Sequence, residues 1–315
     1  MNQPSSKLNT AQSLLLAMAV LGTSGAALAD IKVGITVPST GFAAADGKSA
    51  LDGAKLAVAQ ANAKGGVKGE KIELVVYDDQ ASPKEAVPAA TKLVEKDKVV
   101  AAIGGSYSGA TRASASVFQA AQVPYAVAYA IHPDITKTGD FMFRVSAMGE
   151  VQGRAGAKLV NELGKKNVAL INIKNDFGQS LAAGFKEGAA KFGLNIVGEH
   201  EYSLQDRQFG ALVANVKSQN PEVIYASGYF YTAGPLVNQL RAAGVTATII
   251  GQEGYDSDKF MEIAGPASEG VLVTTSLDRD SANPATKTFL GLQDCLQHGR
   301  RHGGCCHLHR NPSGD

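Results

Sequence analysis

The chain has 315 residues, of which 44% are hydrophobic and 19% are charged, and its formal net charge at pH 7 is +1. A chain of this length can bury the core of one large α/β domain or of two smaller lobes. A charge so close to zero, without a basic stripe, gives no electrostatic basis for binding nucleic acid. The chain has no Trp and only 6% aromatic residues, so a surface that stacks bases is not supported either.

Residues 1–29 have the pattern of a cleavable export signal. Lys7 gives a weakly basic start, residues 14–21 are apolar, and residues 27–29 form a small-residue cleavage site. The apolar run is shorter than the roughly 20 residues that a membrane-spanning helix needs, so a membrane anchor is disfavoured. We therefore expect cleavage after Ala29 and an exported mature chain, beginning at Asp30, that does not insert into a membrane.

From residue 31 onward, short β-branched runs alternate with Ala-rich amphipathic segments. Strands are predicted at residues 31–37, 72–77, 99–103, 125–128, 167–173, 196–202, 223–226, 248–250 and 271–275. Helices are predicted at residues 47–63, 84–95, 109–121, 150–163, 177–192, 208–218, 232–243 and 257–263. The strands are unbroken apolar runs, which are typical of parallel sheets covered by helices on both faces. The predicted fold class is α/β, with two doubly wound parallel-sheet lobes joined by a hinge.

One candidate binding loop is IGGSYSG at residues 103–109, which follows a predicted buried strand and opens a helix. Its small residues give a ligand access to the backbone, and free N–H groups at a helix start favour an anion. Ser108 can add a hydroxyl donor. The alternative is an ordinary N-cap serine that closes a βα turn. The loop matches neither a G-x-S-x-G nucleophile elbow nor a phosphate-binding Walker loop.

A second candidate is GQEG at residues 251–254, directly after a predicted strand. Glu253 lies between glycines at the C-terminal edge of that strand, which is where open α/β sheets usually bind ligands. The alternative is a solvated acid in a turn.

Three stretches of this chain resemble a known family. They are IKVGITVPSTG and ANAKGGVKGEKIELVVYDD near the start, and AAGVTATIIGQEGYDSDKFMEIAGPASEGVLVT further on. They resemble the periplasmic Leu/Ile/Val-binding proteins, the solute receptors of ABC importers for branched-chain amino acids. The resemblance covers about residues 30–290 and implies a periplasmic protein that closes around an amino-acid ligand. It also implies ABC transporter permease subunits as partners, no cofactor and no catalysis.

The resemblance implies a division of the chain. Lobe one would be residues 30–148, lobe two residues 149–276, and residues 277–290 would return to lobe one. No low-complexity linker separates the halves, so strand-like crossings are expected to form the hinge.

The resemblance also implies roles for individual residues. Ser108 matches the serine that binds the ligand's α-carboxylate, and Gly105 and Ser106 would supply nearby backbone. Glu253 matches the glutamate that pairs with the α-ammonium, and Tyr229 matches a ligand-contacting tyrosine. One lobe would then bind each charged end of the ligand, so binding should favour the closed state.

The remaining expected cleft residues are Tyr107, Tyr129, Ile131, Phe177 and Asp46. Ile131 stands where the family usually has a ligand-binding threonine, and Asp46 where it often has an aromatic residue. Because of these departures, the identity of the ligand stays open. A polar or amide-bearing amino acid, or a related small amide, is an alternative to leucine.

Residues 291–315 have a different character, with all three cysteines, four of the six histidines and no apolar periodicity. Our preferred interpretation is a frameshift, because dropping one base from the back-translated codons permits an Ala-rich helix like the family's. A natural disordered tail is the alternative. The residue types of Cys295, His298, His302 and Cys305 suit zinc, but their spacing matches no standard site, so no metal is predicted.

Two other functional classes are alternatives to a solute receptor. A sensory ligand-binding module would share the site but would need a transmembrane or signalling segment, for which the sequence offers no candidate. An α/β hydrolase would need a Ser-His-acid set. Only His132 and His200 occur between residues 30 and 294, and neither is placed as an obvious base.

Overall fold

The computed structural model describes residues 30–276, 278–284, 286–288 and 290–291. The predicted export signal and the interpretations of the tail beyond residue 291, including its candidate zinc ligands, lie outside the described residues. Within the described part of the chain, no helix is both long and apolar enough to cross a membrane.

The first sheet has five parallel strands. They are β1 (Ile31–Val37), β2 (Ile72–Asp78), β3 (Ala101–Gly104), β4 (Tyr125–Val127) and β5 (Met142–Arg144). Their order across the sheet is β2-β1-β3-β4-β5. The helices of this half are α1 (Ala44–Ala63), α2 (Pro83–Thr91) and α3 (Ser108–Ala120), each of which follows a strand. We call this sheet and its helices lobe one.

The second sheet also has five parallel strands. They are β6 (Asn167–Ile173), β7 (Asn195–Tyr202), β8 (Val223–Ala226), β9 (Thr248–Gly251) and β10 (Leu272–Val273), in the order β10-β9-β8-β6-β7. Its helices are α4 (Gly149–Glu162), α5 (Asp176–Phe192), α6 (Gly210–Gln219), α7 (Phe230–Ala242) and α8 (Asp258–Ala264). We call this half lobe two. The lobe boundaries given above stay predictions.

The predicted fold class is confirmed, and every predicted strand and helix is present within a few residues of its predicted ends. The exception at a helix end is α2, which stops at Thr91 and continues as a wider turn over Lys92–Lys96. Strand β5 was not predicted. It has only three residues, too few to show a period, and it forms because it pairs in parallel with β4 at the sheet edge.

The two sheets differ in how well they are covered. In lobe two, β8 is buried along its whole length, as expected of a parallel strand between two helical layers. In lobe one, helices α2 and α3 bury one face, where Phe118 stacks on Tyr125.

The described residues cover the opposite face of the lobe-one sheet only in part. One row across it, set by the strand register, consists of Val76, Ile35, Ile103, Ala126 and Phe143. Its two ends are open to solvent, with Val76 37% exposed and Phe143 54% exposed.

Candidate functional site

A cavity of about 420 Å³ lies between the lobes, at the C-terminal ends of strands from both sheets. Helix α1 and the loops after β3 and β4 supply its lobe-one wall, and loops after β6, β8 and β9 supply its lobe-two wall. Eight of the ten predicted site residues line it: Asp46, Ser106, Tyr107, Ser108, Tyr129, Phe177, Tyr229 and Glu253. Gly105 and Ile131 are not among the lining residues. Sequence reasoning therefore located one shared cavity from segments far apart in the chain.

Ser108 is the first residue of α3, and its side chain is almost fully buried at 2% exposure. Its Oγ accepts hydrogen bonds from the backbone N–H of Ile131 at 3.2 Å and from that of His132 at 3.3 Å. A hydroxyl has two acceptor sites and one donor hydrogen. Because both acceptor sites are used, the hydroxyl hydrogen is left to donate to a group in the cavity.

The two predicted residues outside the lining support this loop from behind. The side chain of Ile131 is 1% exposed and belongs to the core, so only its backbone N–H acts at the site, through Ser108. Gly105 has φ +82, and its carbonyl accepts the N–H groups of Tyr129 and Ala130. A Cβ on Gly105 would lie 2.7 Å from Val127, so glycine is required at this turn.

Ser106 also lines the cavity. Its Oγ is buried and forms no hydrogen bond of normal geometry among the described residues, although the Tyr129 hydroxyl lies nearby. A buried hydroxyl usually has a partner, so this one is available to a ligand in the cavity.

Glu253 lies on the lobe-two wall, in a short 3₁₀ turn at Glu253–Tyr255 that follows β9. Its Oε2 accepts from Gln152 Nε2 at 2.8 Å, and its Oε1 accepts from the backbone N–H of Ser276 at 3.2 Å and from the Ser276 hydroxyl. All of these donors are neutral. Within the described part of the chain Glu253 forms no ion pair, so its charge faces the cavity without a cationic partner.

The turn that holds Glu253 requires the glycine after it. A Cβ on Gly254 would lie 2.0 Å from the carbonyl oxygen of Gly228. This close approach joins the loop after β9 to the loop after β8, which carries Tyr229. The G-Q-E-G pattern therefore fixes the position of the carboxylate relative to the neighbouring loop.

Aromatic rings form a continuous contact between the lobes. Tyr107 of lobe one lies 4.9 Å from Tyr229 of lobe two, measured between ring centroids, and Tyr229 stacks on Phe177 at 4.9 Å. Phe42 of lobe one lies 4.8 Å from Tyr231 of lobe two. Burial raises the pKa of Tyr229 well above its usual value, so its hydroxyl stays neutral. Phe42 and Tyr231 were missed because nothing local in the sequence places them at the cleft.

An ion pair also crosses between the lobes. Arg112 Nε, on α3, lies 2.9 Å from Asp176 Oδ2, on α5. Sequence analysis missed this pair because an aspartate in the first turn of a helix already has a local explanation in the helix dipole. The N-cap of α5 is Asn175, whose side chain accepts the N–H of Gly178.

Asp46 contributes a second carboxylate to the cavity. The hydroxyl of Tyr107 donates to Asp46 Oδ2 at 2.7 Å. Burial raises the pKa of Asp46 above its usual value, although the bond from Tyr107 opposes that effect.

The histidines do not complete a hydrolase site in the described part of the chain. His132 Nδ1 accepts the N–H of Asp134, and the ring of His200 bonds to Gln219, so neither ring is hydrogen-bonded to a serine hydroxyl. The described residues also contain no group of three or more His, Cys, Asp or Glu placed to hold a metal ion.

The family model described as "Periplasmic binding protein" matches residues 30–291. The chain belongs to the periplasmic binding protein family. An amino acid binding protein of Pseudomonas aeruginosa is 36% identical over 268 residues, which cover 84% of this chain and 72% of that protein. The Leu/Ile/Val-binding protein of Escherichia coli is 33% identical over 282 residues, which cover 89% of this chain and 76% of that protein.

Solved structures agree with this family. A branched-chain amino acid transporter substrate-binding protein of Streptococcus pneumoniae, in complex with isoleucine, is 29% identical with a TM-score of 0.80. The match covers 85% of this chain and 78% of that one. The names of these relatives describe binding proteins rather than enzymes. The family match begins at residue 30, directly after the predicted cleavage site.

Proposed function

We propose that this protein is an extracytoplasmic receptor that captures an amino acid, branched-chain or related, by hinge closure and delivers it to an ABC importer. The observation that carries this proposal is that Ser108 of lobe one and Glu253 of lobe two line the same cavity. Ser108 presents a hydroxyl donor, and Glu253 presents a carboxylate that has no cationic partner among the described residues. A zwitterion with one anionic and one cationic end complements that pair. The names of the relatives support the same ligand class.

The carboxylate end of the ligand would bind lobe one. The hydroxyl of Ser108 would donate to it, and Ser106 offers a second hydroxyl nearby on the same loop. The first turn of α3 adds N–H groups without intrahelical acceptors and the positive end of the helix dipole, both of which favour an anion.

The ammonium end of the ligand would bind lobe two, at Glu253. The hydrogen bonds from Gln152 and Ser276 hold this carboxylate in place without neutralising its charge. A charge-assisted hydrogen bond from the ammonium would then be stronger and more directional than a neutral one. Tyr229 and Phe177 would pack beside it, forming the apolar part of the lobe-two wall.

We expect hinge closure because each lobe would bind one charged end of the ligand. Neither lobe alone satisfies both charged ends, so a ligand that bridges them has a higher affinity for the closed state and shifts the population toward it. The two lobes would correspond to residues 30–148 and 149–276, with residues 277–290 returning toward lobe one. The permease subunits of the importer would recognise the closed form, and no bond of the ligand would be made or broken.

The export step is part of the proposal. The chain would reach the periplasm after cleavage behind Ala29 and remain outside the membrane. N-terminal sequencing of the protein recovered from the periplasm tests this directly, with Asp30 as the expected first residue.

The binding proposal is tested by a thermal-shift screen of the twenty amino acids, followed by calorimetry on the best ligand. Glu253→Gln keeps the shape and removes the charge; its amide oxygen can still accept from Ser276, and its NH2 group can donate to Gln152 once the Gln152 amide flips. We expect it to weaken binding by more than about tenfold, the cost of a lost charge-assisted bond. Glu262→Gln, on the exposed face of α8, is the matched control.

Two results would overturn the proposal. One is that no amino acid raises the melting temperature of the wild-type protein. The other is that Glu253→Gln binds as tightly as wild type while Glu262→Gln also does so. A broad esterase screen run alongside would reveal hydrolysis if the cavity belonged to an enzyme instead.

A further inference from the structure

Helix α1 forms one wall of the cavity. The residues that face the cavity recur at intervals of three and four, as expected of one face of a helix: Asp46, Ser49, Ala50 and Gly53. Three of the four are small. The carboxyl of Asp46 is therefore the charged group on this wall, and the small residues leave room beside it.

The charges around the cavity do not balance for a simple zwitterion. Among the described residues that line the cavity, three are acidic and none is basic. Asp256 is already neutralised, because Arg279 lies 2.6 Å from its Oδ1 and Thr275 donates to its Oδ2. Glu253 is assigned to the ligand's α-ammonium in the proposed function. Asp46 remains without a cation.

The surroundings of Asp46 make this surplus charge costly. Its hydrogen bond in the described structure comes from the neutral hydroxyl of Tyr107 and reaches Oδ2, which leaves Oδ1 for another donor. An aliphatic ligand side chain would displace water from this carboxylate without supplying a hydrogen-bond donor in its place. Burying a carboxylate without a partner is unfavourable.

We propose that the side chain of the bound amino acid ends in a nitrogen hydrogen-bond donor, cationic or amide, which binds Asp46. This inference rests on the proposed function, since it takes the α-carboxylate and α-ammonium to be bound at Ser108 and Glu253. The charge count favours a cationic group over an amide, because only a cation offsets the second carboxylate.

The cavity can hold such a side chain. Its volume of about 420 Å³ falls in the usual range for small-molecule sites, roughly 300 to 1,000 Å³. The rings of Tyr107 and Tyr229 offer apolar surface for the methylene groups of a long side chain and π faces for a cation. The raised pKa of Asp46 agrees with a carboxyl that lacks a charged partner in the absence of ligand.

The test is calorimetry with arginine, lysine, glutamine and leucine as ligands. With wild-type protein, at least one of the three amino acids whose side chains contain nitrogen should bind more than about tenfold more tightly than leucine. This is the gain from one charge-assisted or well-placed hydrogen bond. Asp46→Leu should reverse that order. Asp46→Asn, an isosteric variant, should weaken arginine and lysine binding but spare glutamine if the native ligand is an amide. Asp52→Asn, on the same helix but paired with Lys48 outside the cavity, is the matched control.

The outcomes separate this inference from the proposed function. If leucine binds wild type most tightly and Asp46→Leu leaves the ranking unchanged, the inference is overturned, while a loss of leucine binding in Glu253→Gln keeps the proposed function. If arginine or lysine is preferred but both Asp46 variants keep that preference, the selectivity lies elsewhere and the inference also fails. If no amino acid binds wild type, both fall. Asp46→Asn decides the matter should Asp46→Leu not fold.

Discussion

Tyr107 of lobe one and Tyr229 of lobe two are in direct contact, with ring centroids 4.9 Å apart. The ion pair between Arg112 and Asp176 spans the same gap. Both contacts join lobe one to lobe two across the cleft. Arg112 and Asp176 do not line the cavity, so in the proposed hinge closure their pair would contribute to ligand affinity without touching the ligand.

The pair between Arg112 and Asp176 should therefore affect binding modestly. Arg112 is half-exposed, so the pair is worth about 0.2–1 kcal/mol, and Asp176→Asn should weaken ligand binding by roughly two- to fivefold. The effect should shrink in high salt. Calorimetry at two ionic strengths measures it.

A matched control is available within lobe two. Glu187→Gln breaks the exposed pair between Arg154 on α4 and Glu187 on α5, which lies inside one lobe and cannot depend on closure. It should leave the dissociation constant unchanged. Equal effects from Asp176→Asn and Glu187→Gln would show that general surface charge, rather than closure, is responsible.

Ser108→Ala should reduce both stability and binding. The change removes the acceptor of the buried N–H groups of Ile131 and His132, and an unsatisfied buried donor costs about 1–3 kcal/mol. The melting temperature should fall, and the affinity for the ligand's carboxylate should fall by about tenfold or more. Ser116→Ala, on the exposed side of the same helix, should change neither. A normal melting temperature for Ser108→Ala would contradict the assigned hydrogen bonds.

Asp79 should make stability depend on pH. Burial raises its pKa from 3.8 to about 6. Because the folded state holds this proton more tightly than the unfolded chain does, the stabilising contribution is complete below pH 3.8 and is lost as the pH rises through about 6. The two values imply a loss of about 3 kcal/mol at neutral pH.

The test of Asp79 is Asp79→Asn, which keeps an acceptor for the N–H of Ala81 but cannot ionise. We expect a higher melting temperature than wild type at pH 8 and a smaller difference below pH 4. Asp140→Asn, at an exposed position, should follow wild type at every pH. The stability difference between Asp79→Asn and wild type should be larger at pH 8 than at pH 5. An equal difference at the two pH values would count against the raised pKa.

The open face of the lobe-one sheet should bind hydrophobic dyes and favour self-association. Val76 and Phe143 end a row of apolar side chains whose ends are exposed to solvent, and exposed apolar surface of this kind promotes association. Replacing Phe143 with Thr should lower dye fluorescence and the apparent mass by light scattering. The same change at the buried Phe185 should instead destabilise the fold. Unchanged dye binding in the Phe143 variant would show that the dye does not bind at this face of the sheet.

Much of the fold was predictable because each strand and helix has its own local pattern. The ends of α5 illustrate this, since Asn175 caps its start and Gly193 ends it in the left-handed conformation. Strand β5 was not predictable, because its three residues form a strand only through pairing with β4. Local patterns set the elements, and pairing between distant segments sets the sheet edge.

The candidate site was predicted in part for the same reason. Ser108 and Glu253 follow β3 and β9 within a few residues, and a parallel sheet brings such positions to one edge. Ile131 was expected at the cavity surface, but the chain after β4 directs its backbone N–H to Ser108 and its side chain into the core. The pair between Arg112 and Asp176 could not be predicted, because it depends on how the two lobes are oriented.

A crystal structure of the protein grown with its best-binding amino acid would show whether the ligand lies between Ser108 and Glu253. We expect one ligand in the cavity, with its α-carboxylate accepting from the Ser108 hydroxyl and its α-ammonium donating to Glu253. A ligand bound in that cavity in the reverse orientation, or bound elsewhere with Ser108 and Glu253 untouched, would contradict it.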